Sequence, residues 1–275
     1  MKLKYTISDL RKNYSTDDAC LEAIFANRFP NRIGYHRVHG RKCWSHQSTG
    51  HQIFPLAGTI FEKSSTPLTV WFEAIFLFSI SKNGISAKEM QRHFGVTYKC
   101  AYRIGQQIRK LMEQDEAPLT GIVEADETYM PNGKTARPVI AAVSRSGGTK
   151  ARVMDNRRIE SVHPFIEQSV QKGSYLMTDE ANVYKGLTDY KHRPVNHGRG
   201  FVKGMAYTNN VEAFWNQVKR SINGTYHWVS PEHLQQYVDE FSFRHSLRAS
   251  SVPIFEVMMA RILRGGEGGK NYLYL

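Results

Sequence analysis

Three carboxylates, Asp126, Asp179 and Glu212, stand in segments that folding could bring to one place. Asp126 lies in GIVEADETYM, whose alternating pattern predicts a strand ending near this aspartate, and Asp179 ends the short apolar strand predicted for SYLMTD. Glu212 belongs to a later segment with helical spacing. If the two strands are neighbours in one sheet and the helix packs across their edge, the three side chains converge. The spacing therefore predicts a single acidic site.

Such a site would suit metal-dependent phosphoryl transfer. Carboxylates held together repel one another unless a cation compensates their charge. Hard oxygen ligands with room for water favour Mg²⁺ or Mn²⁺ over zinc, and two such ions can activate a water or a 3′-hydroxyl and stabilise the leaving oxygen of a phosphodiester. Two alternatives stay open at this point. A single aspartate at a strand end is commonly a turn-former or a helix cap, and an acid pair can also serve a glycosidase.

The segment TNNVEAFWNQVKRSI predicts a helix with one apolar stripe. The stripe consists of Val211, Phe214, Trp215, Val218 and Ile222. Glu212 and Lys219 lie about two turns apart on its border, so the stripe can pack on a sheet while Glu212 leans into a cleft. We predict that Lys219 holds a phosphate of the substrate near the metal ions. For the pair taken alone, the alternative is a solvated helix flank.

The elements around the three carboxylates predict an α/β domain. GIVEADETYM, RPVIAAVS and KARVMD indicate three antiparallel strands, of which the last two are joined by the turn RSGG. A helix, IESVHPFIEQSV, then precedes the strand that ends at Asp179, and another strand is predicted around 193–203. Glu124 shares the predicted face of Asp126. It either adjusts the metal site from behind the ligands or is exposed to solvent.

A helix-turn-helix is predicted N-terminal to this domain. Ser86 followed by Glu89 forms a capping box for a helix to about Phe94, Gly95 breaks it, and a second helix runs from about Thr97 to Met112. The side chains of the second helix that we expect to reach DNA are Lys99, Arg103, Gln106, Arg109 and Lys110. In the segment NHGRGFVK we expect Arg199 and Lys203 to follow the DNA backbone. The alternative is a helical hairpin without a role in DNA binding.

The charge of the chain favours nucleic acid as a partner. Its 275 residues include 37 Lys and Arg against 25 Asp and Glu, which gives a net charge of +12 and a pI near 9.6. The longest apolar run, at 70–80, is interrupted by Glu73 and is too short to cross a bilayer. Three scattered cysteines and the lack of a signal-peptide pattern predict a soluble, cytoplasmic protein without a membrane partner.

Residues 1–60 are predicted to be irregular. They contain an incomplete set of zinc ligands, in which Cys20, Cys43 and His46 are the candidates. A lone Cys-x-x-His with one upstream cysteine is a poor tetrahedral set, so we do not expect bound zinc.

The segments EADETY, LMTDEANVYKGL and TNNVEAFWNQVKRSINGTYHWVSPEHLQQYVDEFSFRH resemble DDE transposases of bacterial insertion sequences, in the group with an N-terminal zinc ribbon that is related to eukaryotic Merlin elements. The resemblance covers most of the chain from GTIFEKSSTPL onward. It implies a ribonuclease-H-like domain that binds transposon ends and performs strand cleavage and strand transfer with a divalent metal. Matched position by position, the acidic triad falls on Asp126, Asp179 and Glu212, with Lys219 as the accompanying base. Some members use an asparagine in the third position, which corresponds here to Asn209.

The resemblance also implies the domain organisation and the partners. We expect a degenerate zinc-ribbon-like segment at 1–60, a helix-turn-helix DNA-binding domain at 61–116, a ribonuclease-H-like catalytic domain at 117–248, and a C-terminal helix and tail at 249–275. The expected partners are double-stranded DNA, as transposon ends and target, and further copies of the chain at the bacterial nucleoid. The alternatives are a nuclease of the same fold, which would cut without joining, and a DNA-binding protein whose catalytic domain is inactive.

Overall fold

A computed structural model of the protein describes residues 5–130, 136–195 and 207–263. Within these ranges the chain divides into two compact units. The first contains the residues up to Ser81, Ile85–Leu111 and the segment from Ser251, and the second contains Lys82–Gly84 and Met112–Ser250. None of the helices in the described ranges has both the length and the apolar character needed to cross a membrane.

The first unit combines helices with a small antiparallel sheet. Its helices are α1 (Ile7–Asn13), α2 (Asp17–Arg28), α3 (Leu68–Ile80), α4 (Ala87–Phe94), α5 (Tyr98–Lys110) and α9 (Ile254–Leu263), and its strands are β1 (Tyr35–Arg37), β2 (Trp44–His46) and β3 (Gln52–Ile53). The sheet has the order β1-β2-β3.

The prediction that residues 1–60 are irregular is wrong for α1 and α2. Thr6 caps α1 in a reciprocal capping box with Asp9, and the Thr16 hydroxyl accepts a hydrogen bond from the Ala19 amide at the start of α2. These threonine caps are readable in the sequence. They show that the irregular part of this segment begins only after Arg28.

The candidate zinc ligands of the first unit lie on α2 and around β2. Cys20 is a buried thiol of α2, and burial together with the charge of Asp17 raises its pKa to about 12. Cys43 is also buried, while His46 on β2 hydrogen-bonds Ser48 through Nδ1. Near neutral pH the Cys20 thiol is therefore protonated, which is the form that does not ligate metals.

Helices α4 and α5 lie where the sequence predicts them. The Ser86 hydroxyl accepts from the Glu89 amide at 3.2 Å, and the Glu89 carboxylate accepts from the Ser86 amide at 2.7 Å. Gly95 ends α4 in the left-handed conformation, with φ 65°, and Thr97 caps α5. The predicted helix, turn and helix are thus present as a local structure.

The second unit is a mixed α/β structure, as predicted. Its strands are β4 (Ile122–Met130), β5 (Arg137–Ser144), β6 (Thr149–Val153), β7 (Tyr175–Asp179) and β8 (Lys191–Val195), and its helices are α6 (Ile159–Ser169), α7 (Asn209–Ser221) and α8 (Leu234–Ser246). The sheet has the order β6-β5-β4-β7-β8. Strands β4, β5 and β6 are antiparallel neighbours, and β7 runs parallel to both β4 and β8.

Strand β4 is longer than the sequence suggests. Its pairing with β5 extends to Met130, opposite Arg137, so Asp126 lies in the middle of the strand and not at its end. The expectation about the strand end is therefore wrong for Asp126 and right for Asp179, which is the last residue of β7.

Alternation along β4 divides its side chains between two apolar layers. Val123 and Ala125 pack in one cluster with Phe165 of α6. Met130, at an even position like Asp126, packs in the other cluster with the apolar stripe of α7 and with side chains of α8. The even-numbered face of β4 therefore lies on the side of the sheet that α7 and α8 cover.

Beyond Ser221, α7 continues into a π-helical turn, Ile222–Tyr226. The Tyr226 hydroxyl lies 3.2 and 3.1 Å from the two carboxylate oxygens of Glu240 on α8, and Arg244 pairs with the same carboxylate at 2.7 Å. Gly84, at φ 82°, leaves the space that this cluster fills, because a Cβ at this position would overlap the Tyr226 hydroxyl.

The buried His245 of α8 makes stability depend on pH. Its Nδ1 lies 2.6 Å from the Thr149 hydroxyl, and burial followed by the charge of Arg248 lowers its pKa from 6.5 to about 4. The folded state keeps this imidazole neutral where the unfolded state takes up a proton, so the stabilisation is complete above pH 6.5 and is lost as the pH falls towards 4. The expected loss is on the order of 3 kcal/mol at pH 4.

This loss is measured as the difference in unfolding free energy between the wild type and His245→Asn, followed from pH 7 to pH 4 by urea denaturation. The amide side chain of the variant has no proton to take up in this range, so we expect the advantage of the wild type to shrink as the pH falls. A difference that stays constant over this range would contradict the prediction.

Candidate active site

The first two carboxylates of the predicted site lie on neighbouring parallel strands. Strands β4 and β7 pair in parallel, with Ile122 opposite Tyr175 and Glu124 opposite Met177. Continuing this register by two residues brings Asp126 level with Asp179, and because the side-chain period of a strand is two, both project to the face that α7 covers. The Asp179 carboxylate also accepts a hydrogen bond from the Ala181 amide at 3.0 Å.

The third carboxylate comes from α7. The predicted apolar stripe of this helix is buried, as Val211, Phe214, Trp215 and Val218. Glu212 stands beside the stripe in the first turn and is exposed, and its Oε1 accepts a hydrogen bond from the Thr208 hydroxyl at 3.0 Å. Lys219 is half-buried two turns further along. The packing of α7 thus presents Glu212 to solvent at the N-terminal end of the helix.

Asp179 and Glu212 both lie close enough to Asp126 to influence its carboxyl electrostatically. The pKa of Asp126 is raised from 3.8 to about 6, first by burial, then by the charge of Glu127, and further by Asp179 and Glu212. Among the described residues, no salt bridge reaches Asp126, Asp179 or Glu212. The site therefore carries negative charge that the described basic side chains do not compensate.

Two further glutamates of β4 differ from the triad because each has its own arginine. Glu124 is fully buried and pairs with Arg145 at 2.8 Å. Glu127, on the opposite face of the strand, pairs with Arg157 and also accepts a hydrogen bond from the Tyr184 hydroxyl. The sequence left open whether Glu124 lies behind the metal site or is exposed to solvent, and in the structure it is buried.

The donor set suits a hard divalent cation in charge and in chemistry, because it offers carboxylate oxygens and an uncompensated negative charge. As the side chains stand, no group of three His, Cys, Asp or Glu residues in the described ranges is already arranged around a single metal position. Asp126, Asp179 and Glu212 are thus linked by the electrostatic influence on Asp126, and carboxylate oxygens are the kind of donor that Mg²⁺ and Mn²⁺ prefer.

Asn209, the alternative third residue, is the first residue of α7 and is exposed. Because an asparagine carries no charge, Glu212 and not Asn209 contributes to the raised pKa of Asp126. The choice between Glu212 and Asn209 as a ligand stays a prediction.

The predicted DNA-contacting residues of α5 do not all point outward. Lys99, Arg103 and Lys110 are exposed, and Gln106 is half-buried. Arg199 and Lys203 lie outside the described residues.

The assignment of Arg109 to DNA contact is wrong in this structure, since only 3% of the residue is exposed. Arg109 belongs to the buried stripe of α5, eight residues after Ala101, and its guanidinium lies 5.4 Å from the centre of the Phe78 ring. Gly105 leaves the space for it, because a Cβ there would stand 3.3 Å from Arg109 Nη1.

Comparison with known proteins supports the resemblance found in the sequence. Residues 113–246 match the model of the ISXO2-like transposase domain. The chain is 23% identical over 219 residues to an uncharacterised protein in the transposable element ISH50 of Halobacterium salinarum, which covers 69% of this chain and 74% of the relative. It is 28% identical over 94 residues to an uncharacterised transposase-like protein of Haemophilus influenzae, which covers 34% of this chain and 76% of the relative.

Among solved structures, the chain is similar to one from a simian T-cell lymphotropic virus intasome in complex with the PP2A regulatory subunit B56 gamma, with a TM-score of 0.35 and 14% identity over 67% of this chain and 74% of that chain. The family match and the two relatives confirm the predicted resemblance to transposases of insertion sequences.

Proposed function

Because residues 113–246 match the ISXO2-like transposase domain, we propose that this protein is a transposase that cleaves and joins DNA strands of an insertion sequence. The observation that supports the proposal most directly is that Asp126, Asp179 and Glu212 all lie within the matched segment and that the charges of Asp179 and Glu212 both act on the Asp126 carboxyl. Burial first, then the charge of Glu127, and after these the charges of Asp179 and Glu212 raise the pKa of Asp126, and perturbed carboxyls of this kind are common at functional sites.

Each residue of the site has a separate task in this proposal. Asp126 and Asp179 hold Mg²⁺ or Mn²⁺ from the sheet, and Glu212 holds it from α7. A bound ion of this kind supplies a polarised phosphodiester and an activated water or 3′-hydroxyl. Lys219, on the same helix as Glu212, binds a phosphate oxygen of the DNA and so orients the strand towards the carboxylates.

The second unit is assigned, as part of the same proposal, to the ribonuclease-H-like fold. Three antiparallel strands followed by a helix and a parallel strand support this assignment. The first unit is assigned to DNA binding, with α4 and α5 as the helix-turn-helix and with Lys99, Arg103 and Lys110 exposed on α5. The net charge of +12 supports a DNA partner, and joining two transposon ends calls for more than one copy of the chain. We place this activity in the bacterial cytoplasm.

The proposal is tested by strand transfer in vitro. Purified protein is mixed with the terminal DNA of its element and a supercoiled target, with Mg²⁺ or with EDTA, and joined products are separated on a gel. We expect joined products with Mg²⁺ only, and none from the Asp179→Asn variant. The matched control is Asp189→Asn, because Asp189 forms an exposed pair with Lys172 in the same unit.

The other outcomes separate the alternatives. Metal-dependent cleavage without joining would replace the transposase by a nuclease of the same fold. Tight DNA binding without cleavage or joining in Mg²⁺ would leave a DNA-binding protein with an inactive catalytic domain. Strand transfer by Asp179→Asn at the wild-type rate would remove Asp179 from the site.

A further inference from the structure

Glu124 is a buried carboxylate that the proposed chemistry does not use. No part of its side chain is exposed, and it accepts four hydrogen bonds. Oε1 accepts from Arg145 Nε at 2.8 Å and from Asn210 Nδ2 at 2.8 Å. Oε2 accepts from the backbone amides of Asn210 at 2.7 Å and Val211 at 3.2 Å. A charged group with this many donors is stabilised in a buried position that would otherwise be costly.

The two backbone amides belong to the first turn of α7, where helical N–H groups have no partner within the helix. Thr208, the residue at the N-cap, provides no side-chain cap, because its hydroxyl donates to Glu212. A carboxylate from strand β4 therefore takes the place of the cap, and its negative charge also suits the positive end of the helix dipole. Arg145 extends the connection to the chain that enters α7, since its Nη2 donates to the Tyr207 carbonyl at 3.0 Å.

Glu124, Arg145, Asn210 and Val211 together form a hydrogen-bonded clamp. This clamp connects β4, which carries Asp126, to α7, which carries Glu212. On β4, Glu124 precedes Asp126 by two residues on the same face of the strand. On α7, Glu212 directly follows Val211, whose amide the clamp holds. We propose that Glu124 is a positioning residue that fixes Glu212 relative to Asp126, by tying the first turn of α7 to the strand. This inference rests on the proposed metal-dependent function.

The Glu124→Gln variant tests the inference. An amide has one acceptor oxygen, so it cannot receive all four donors, and the first turn of α7 loses part of its attachment. We expect the Mg²⁺ concentration for half-maximal strand transfer to rise by about tenfold or more, the scale on which lost support behind a metal ligand weakens metal sites.

Two readouts do not depend on activity. The Mg²⁺ concentration that produces half of the metal-induced rise in Tm should increase with the midpoint for strand transfer. Hydrogen exchange should speed up at the amides of Asn210 and Val211 more than elsewhere in α7.

The matched control is Glu240→Gln. Glu240 is also a fully buried glutamate paired with an arginine, but it bonds the turn after the C-terminal end of α7. We expect Glu240→Gln to lower Tm without changing either Mg²⁺ midpoint. If Glu124→Gln does not fold, Asn210→Ala removes a single side-chain donor of the clamp and should raise both midpoints by about two- to fivefold, below the range for a complete loss of outer support.

Mg²⁺ midpoints that stay unchanged in Glu124→Gln, or that rise equally in Glu240→Gln, would overturn the inference. The proposed function would still stand in that case, provided that the wild type performs strand transfer. A wild type without any response to Mg²⁺ in Tm or in strand transfer would overturn both.

Discussion

Asp126→Asn is expected to abolish strand transfer and to make the metal-free protein more stable at pH 7.5. The lost activity follows from the loss of a charged metal ligand. At several kcal/mol of transition-state stabilisation, this loss lowers the rate of strand transfer by about a thousandfold or more. The gained stability follows from the raised pKa of this group, about 6 against 3.8, which marks a charge that the fold holds at a cost. A variant that is inactive and yet more stable is typical of a residue kept for function.

The pH dependence of this effect has a definite sign. The folded state binds a proton at Asp126 up to about pH 6, whereas the unfolded state releases it near 3.8. The wild type therefore loses stability as the pH rises from 3.8 to 6, by on the order of 3 kcal/mol, and the asparagine variant does not. His245 acts in the opposite direction over nearly the same range, because its pKa is lowered. The two effects partly offset each other in the wild type, so each is visible only against its own variant.

The measurement is urea denaturation of the wild type and Asp126→Asn in EDTA from pH 4 to pH 8, repeated with Mg²⁺ at pH 7.5. The advantage of the variant should grow with pH up to about 6 and then stay constant. Mg²⁺ should stabilise the wild type more than the variant, because only the wild type has the complete set of carboxylates. A variant that is less stable than the wild type in EDTA at pH 7.5 would show that Asp126 is held by contacts that favour its charge.

The parts of the site that the sequence predicts are those fixed by local periodicity. Alternation identifies the strand of Asp126, and helical spacing identifies the buried stripe of α7 and hence the side on which Glu212 stands. In each case, the residue pattern and the period of the element carry the information. That the strands of Asp126 and Asp179 are parallel neighbours comes from the sheet pairing, because the sequence analysis offers their adjacency only as a condition.

The features that the sequence did not predict depend on partners distant in the chain. Glu124 reads as a polar residue on one face of a strand, and nothing near it indicates that its donors are Arg145 and two amides of α7. Arg109 looks like an exposed base in a basic helix, and only the combination with Gly105 and Phe78 explains its burial. A buried charge with tertiary donors has no signature in the spacing of one segment.

Glu240→Ala is expected to lower the unfolding free energy by about 3–5 kcal/mol, the cost of removing one partner from a buried ion pair. Glu240 is fully buried and Arg244 is 6% exposed, so the variant leaves the guanidinium without its carboxylate in a position that solvent barely reaches. The Tyr226 hydroxyl loses both acceptor oxygens as well. For comparison, Glu167→Ala, at an exposed position of α6, should change stability by no more than about 0.5 kcal/mol.

A second variant separates the ion pair from the space it fills. Glu240→Gln combined with Arg244→Met removes both charges and keeps an acceptor for Tyr226, so it should be more stable than Glu240→Ala by on the order of 2 kcal/mol. Urea denaturation of the three variants measures these differences. Equal losses of unfolding free energy in Glu240→Ala and in the double variant would mean that packing and not charge determines the cost. Together with Glu124, Glu240 places a buried glutamate with an arginine partner at each end of α7 and its π-helical extension. Glu124 bonds the first turn of α7, which carries Glu212, whereas Glu240 bonds Tyr226 beyond the other end of the helix, so the cost of Glu240→Ala falls on stability and not on the position of Glu212.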